Sequence, residues 1–192
     1  MNFLAHSYLC FSDEQLVGQF LQDFIRNRDR FSFPDAIQQG ITLHREIDTF
    51  TDAHPAVHLA KDSFRPIVGL YAGAFVDVAF DYFLANSMDN SILKAHSQHV
   101  YQVLRNHQEI LPTGLQRMLF YMEKDNWLYN YRYDWGIDFS MKNVLRKAKY
   151  LDEGLSVLSA FLENKTFLQL QFQLFFPELQ KHCRLINSSF QA

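Results

Sequence analysis

Apolar side chains recur at helical spacing along most of the chain, and turn-forming residues punctuate the pattern. Ser12 and Gln15 have the spacing of a capping box, and Leu16, Phe20, Leu21, Phe24 and Ile25 follow on one side, predicting a first helix from about Asp13 to Asn27. Pro34 fits the first turn of a second helix, Gly40 is a candidate break in it, and Ile41, Ile47 and Phe50 supply an apolar side that should end before Pro55. Beyond Pro66, the Ala-rich aromatic stretch from Ile67 to Asn86 suits a central buried helix. Further helical patterns occupy 89–109, 113–124, 138–149, 151–163 and 166–186, punctuated by Pro112-Thr113-Gly114 and by Gly136. No repeat or Pro/Ser-rich linker divides them, so the expectation is one all-α, multi-helix domain over residues 1–192.

Composition strengthens the helical reading. Leu occurs 24 times against 9 Val and 9 Ile, a balance that favours helices over a sheet sandwich. Nineteen Phe and nine Tyr, spread over almost every segment, point to an aromatic-rich core. A formal charge of −3 supplies no general attraction to nucleic acid or to an anionic membrane, and neither is expected as a partner. The two cysteines, Cys10 and Cys183, match no zinc or redox spacing. No basic, apolar leader opens the chain and Asp77 interrupts its most apolar run, so a cytoplasmic protein without a membrane span is expected.

The candidate chemistry lies in polar residues set into otherwise buried segments. His44, Asp48 and Thr51 share one stripe of a helix, Asp77 and Asp81 are one turn apart in the most apolar helix, Asp23 interrupts the first amphipathic helix, and His6 ends an apolar N-terminus. Two carboxylates ~4 Å apart at an effective dielectric near 20 repel by roughly 4 kcal/mol, so a proton, an arginine or a divalent cation must neutralise them. Carboxylates with imidazole suit Mn²⁺, Mg²⁺ or Fe²⁺ better than a structural zinc site. Arg26, Arg28 and Arg30 alternate beyond Asp23, where they are either cations at a helix C-terminus or a basic landing patch. No dinucleotide or phosphate-binding glycine loop is present, and the Glu-x-x-His pair of di-iron bundles is absent.

The opening Met1-Asn2-Phe3-Leu4-Ala5-His6, then Gly18 and Asp23-Phe24, the run Gly40-Ile41-x-x-His44-Arg45-x-Ile47-Asp48-x-x-Thr51-Asp52, and Asp77-x-x-x-Asp81-x-Phe83-Leu84 together resemble the acyl carrier protein phosphodiesterase, or holo-acyl carrier protein hydrolase, family. The resemblance implies a cytoplasmic all-helical enzyme related to the HD phosphohydrolases, activated by a divalent metal, usually manganese. Its substrate would be holo-acyl carrier protein, whose 4′-phosphopantetheine it removes to leave the apo protein. It implies His6, Asp23, His44, Asp48, Asp77 and Asp81 as the metal and water site, with Arg45, Thr51 and Asp52 at flanking motif positions and Thr51, Asp52 and Tyr82 among the substrate-binding residues. On this reading Asp23 or Asp81 accepts the proton, Arg45 meets the phosphate, and Arg26, Arg28 and Arg30 dock the acidic carrier protein. The chain departs from the family at Tyr82, where histidine is usual; a phenol is a poor replacement for imidazole as a ligand or proton carrier. Two other readings fit the residues: an HD-like phosphohydrolase of a nucleotide or other small phosphodiester, and a carrier-protein binder without catalysis.

Overall fold

The computed structural model describes residues 1–190, and among these every regular element is helical. The chain opens with a short helix that the apolar pattern alone does not reveal, α1 (Phe3–Tyr8), followed by α2 (Asp13–Leu21). The Ser12 hydroxyl caps α2 by accepting from the Gln15 amide, as the capping-box spacing predicts. α2 ends earlier than expected: a 3-10 turn covers Gln22–Phe24, Ile25 is extended, and a second 3-10 segment runs over Asn27–Ser32. The arginines expected at a helix C-terminus therefore border and occupy a separate 3-10 segment.

α3 (Asp35–Ala53) runs straight through Gly40. The glycine expected as a break is instead a point of contact. A Cβ on Gly40 would lie 2.1 Å from the Gln15 carbonyl oxygen of α2, and one on Gly18 would lie 2.2 Å from the Ile37 carbonyl oxygen of α3. The absence of both side chains lets the two backbones touch, which a core at crystal-like density otherwise forbids.

α4 (Pro55–Asp62) follows with Pro55 in its first turn and the His54 ring accepting from the Ala56 amide. The long helix expected over 67–86 is divided into α5 (Arg65–Val68), a 3-10 turn at Gly69–Tyr71 and α6 (Ala72–Ser87). Gly69 makes the division because its φ of 54° lies in the left-handed region. The stretch Arg65–Ser87 is long and apolar enough to cross a membrane by length and composition, contrary to the expectation that no segment is. In this fold 61% of its most apolar window is buried inside the protein, the placement of a central core helix.

The remainder is α7 (Asn90–Asn106), α8 (Thr113–Lys124), α9 (Trp127–Asn130), α10 (Asp134–Lys147), α11 (Val157–Glu163) and α12 (Lys165–Ser189). Gly136, expected to separate elements, lies in the first turn of α10. α12 packs over α3, α4 and α6, with Phe172 and Phe175 against Phe80 and with Phe175 also against Phe50. One buried apolar cluster draws residues from all twelve helices, and α1, α2, α3 and α6 meet at the face described next.

Candidate metal centre

The contact between α2 and α3 sets the geometry of the site. Gln19 follows Gly18, and His44 lies one helical turn beyond Gly40, so the close crossing brings the Gln19 carbonyl oxygen to 2.8 Å from His44 Nδ1. A carbonyl accepts only, so His44 Nδ1 carries a proton and donates it, and the neutral ring then has its lone pair on Nε2. From α1, His6 Nδ1 donates in the same way to the Gln19 side-chain oxygen, at 2.8 Å. The two rings stack with centroids 4.0 Å apart and planes 13° from parallel. Both Nε2 atoms face the carboxylate of Asp48, His6 at 3.3 Å from Oδ1 and His44 at 3.2 Å from Oδ2.

Two unprotonated ring nitrogens and a carboxylate repel one another at these distances, and the Met1 amino group, 3.8 Å from Asp48 Oδ1, offsets only the carboxylate side of the cluster. Their ligand atoms all lie within 4.8 Å of one another. Fixing the far nitrogen of each histidine to a carbonyl is how metal-ligating imidazoles are commonly oriented, and the mixed nitrogen and oxygen donors suit a divalent transition ion. The residues fit such an ion on donor chemistry.

Electrostatics supports the same reading. Burial, and then the neighbouring His44, lower the His6 pKa below its ordinary value and keep the ring neutral at neutral pH. Burial alone would raise the Asp48 pKa, but the groups packed against it, His44, His6 and the Met1 amino group, outweigh it and hold the carboxylate well below the usual range. Neutral imidazole and ionised carboxylate are the forms that bind metal.

These groups line a cavity of about 270 Å³, with Asp23, Thr51, Asp52 and Asp77 also in its wall. Asp23 sits with its oxygen 3.6 Å from His44 Nε2 and its side chain 56% exposed. Asp77 lies 3.2 Å from the Met1 amino group, which burial pulls down in pKa but Asp77 and Asp48 together hold above its ordinary value. Asp52 pairs outward with Lys61 at 3.1 Å.

Other candidate residues are placed apart. Asp81 is fully buried behind the cavity, its two oxygens accepting from the Leu4 and Ala5 amides at 2.8 and 3.1 Å, so that α6 caps the N-terminus of α1. Asp77 and Asp81 thus serve different ends: one faces the cavity, the other the end of α1. Arg45 bridges Gln22 and Asn27 at 3.2 and 2.7 Å and lies outside the cavity wall. Tyr82, expected among the substrate-binding residues, is not in the cavity wall and points toward α11 and α12, its ring against Phe161 and under Lys165 Nζ at 4.5 Å. Arg26 and Arg28 are exposed in the segment that follows Asp23, Arg30 lies over Phe31, and none of the three is in the cavity wall. Gln19 lines the cavity without having stood out in the sequence; its adjacency to Gly18 and its position one turn before Asp23 were the available signals.

The family model described as acyl carrier protein phosphodiesterase matches residues 1–179. The chain belongs to this family. As a member of the acyl carrier protein phosphodiesterases it is a hydrolase, and its relatives agree. It is 33% identical over 136 residues to the acyl carrier protein phosphodiesterase of Yersinia pestis, covering 68% of this chain and 70% of the relative. It is 31% identical over 140 residues to that of Photorhabdus laumondii, covering 68% and 69%, and 34% identical over 150 residues to that of Escherichia coli O139:H28, covering 76% of each. No solved structure gives a significant match to this phosphodiesterase-family chain.

Proposed function

We propose that the cavity hydrolyses the phosphodiester joining 4′-phosphopantetheine to the serine of holo-acyl carrier protein, releasing the arm and leaving the apo protein. The observation that carries the reading is the imidazole pair: both Nδ1 protons are committed to Gln19 oxygens, so both Nε2 lone pairs converge on Asp48. His6, His44 and Asp48 would hold a divalent cation, Mn²⁺ first and Mg²⁺ or Fe²⁺ as alternatives, with Asp77 on the same wall. A cation bound there lowers the pKa of water and offsets charge on phosphoryl oxygens.

Asp23 takes the proton of the attacking water, since it is open to solvent and reaches toward His44, whereas both Asp81 oxygens are committed to α1. Asp81 positions α1 and with it His6. Arg45 ties the Asn27 segment to α3, and the exposed Arg26 and Arg28 with Arg30 present positive charge to an acidic carrier protein. This work belongs in the cytoplasm with its carrier-protein substrate.

Purified protein with Mn²⁺ and holo-acyl carrier protein should yield apo protein and free phosphopantetheine, resolved by mass spectrometry. His44→Ala and Asp77→Ala should each remove nearly all turnover while circular dichroism stays unchanged. Absence of release at high enzyme concentration with each of the three ions would overturn the reading. Reversing Arg26 and Arg28 to Glu should raise KM several-fold at low salt, with a smaller difference at high salt.

A further inference from the structure

Gln19 is used three ways by this fold, and only two have partners. Its backbone oxygen orients His44 and its side-chain oxygen orients His6, both at 2.8 Å. Its side-chain amide nitrogen is buried and has no hydrogen-bond partner among the described residues. The residue is 1% exposed and lies in the cavity wall. A buried, unpaired amide N–H costs free energy unless a ligand completes it. One further unpaired polar atom belongs to the same wall: the hydroxyl of Thr51, 3% exposed, on the α3 stripe that carries His44 and Asp48. Both groups can donate, and both accompany a donor set suited to a cation. A tetrahedral anion with several oxygens, coming in beside that cation, would satisfy them.

Resting on the proposed phosphodiesterase reading, we propose that Gln19 is a positioning residue for the imidazole pair and that its free amide N–H, together with the Thr51 hydroxyl, binds non-bridging oxygens of the phosphoryl group. The two halves of the Gln19 side chain then do separate jobs. The oxygen sets the affinity for metal through His6, and the nitrogen sets the affinity for the phosphoryl anion.

The substitutions Gln19→Glu and Gln19→Leu separate these jobs. A glutamate keeps an acceptor for His6 Nδ1 but removes the donor and adds repulsion toward an anion; a leucine removes both. Mn²⁺ affinity is read from electron paramagnetic resonance of free Mn²⁺, and inorganic phosphate affinity from ³¹P relaxation at saturating Mn²⁺. Gln19→Glu should bind Mn²⁺ at least as tightly as the parent and phosphate at least tenfold more weakly. Gln19→Leu should lose about 10–100-fold in Mn²⁺ affinity, the usual effect of removing a group that orients a ligand. Thr51→Val should leave Mn²⁺ affinity unchanged and weaken phosphate several-fold, with Thr51→Ser restoring it.

Parent-like Mn²⁺ binding by folded Gln19→Leu overturns the positioning role, and parent-like phosphate binding by Gln19→Glu overturns the donor role. If Gln19→Leu does not fold, the positioning role is decided by Gln19→Glu, where a loss of Mn²⁺ affinity counts against it. Because these readouts do not use holo-acyl carrier protein, failure of the parent protein to release phosphopantetheine would reject the phosphodiesterase reading while leaving them to judge Gln19.

Discussion

At the scale of single residues, the site depends on which nitrogen of each histidine holds its proton, and that is decided by acceptors from α2. Tyr82 illustrates the opposite case. Its position one residue from Asp81, where the family usually has histidine, makes it look like a damaged ligand in the sequence. In the fold that position is turned about a helical quarter from the cavity, and the ring packs on Phe161 and meets Lys165. Tyr82→His should therefore leave Mn²⁺ affinity within twofold of the parent, measured by the same resonance titration; a gain of tenfold or more would put position 82 at the metal. His44, Asp48 and Thr51 were legible from spacing because one helix carries them all. Gln19 was not, since its part is played by a backbone oxygen and an amide whose use depends on where another helix crosses. Asp81 was misleading for the same reason: a buried carboxylate at helical spacing from Asp77 gives no sign that the end of α1 has claimed it.

At the scale of elements, the helical nature of the chain is plain from periodicity, but short helices and helix contacts are not. α1 has six residues, too few to display a period, and is held by Asp81 from α6 and by its Asn2 cap. Gly40 reads as punctuation because glycine lowers helix propensity; its actual use appears only when α2 lies across it. Gly40→Ala puts a methyl carbon 2.1 Å from a backbone oxygen, which no rotamer change relieves. The expected cost is about 3 kcal/mol or more from overpacking, read as a lower urea midpoint. The same displacement carries His44 from the Gln19 carbonyl, so Mn²⁺ affinity should fall together with stability. An exposed substitution on α3 such as Thr49→Ala should change neither, and if Gly40→Ala also changed neither, the crossing would not be what builds the site.

For the whole molecule, two buried titrations around α1 oppose each other. His96 of α7 donates from Nε2 to the Ser7 hydroxyl at 2.9 Å, and burial, helped by His99, lowers its pKa from 6.5 to about 4. Between those values the unfolded chain binds a proton that the folded chain does not, so stability rises with pH, by about 3 kcal/mol over the window. Asp81 behaves inversely. Burial outweighs the Leu4 and Ala5 amides and raises its pKa from 3.8 to about 7, so across that range the folded chain keeps a proton that the unfolded chain has lost. Stability then falls as pH rises, by about 4 kcal/mol. His6, lowered by burial and His44, adds to the sense of His96. In metal-free protein the parent should consequently show a shallow dependence between pH 4.5 and 6.5. Asp81→Asn removes the opposing contribution, so its urea midpoint should fall steeply on acidification, whatever its absolute level. His96→Gln, which can still donate to Ser7, should shift the slope the other way and make acid less damaging than in the parent. Parallel midpoint curves for the parent and both variants would show that neither group titrates across folding, and the capping of α1 by an uncharged Asp81 would then have to be given up.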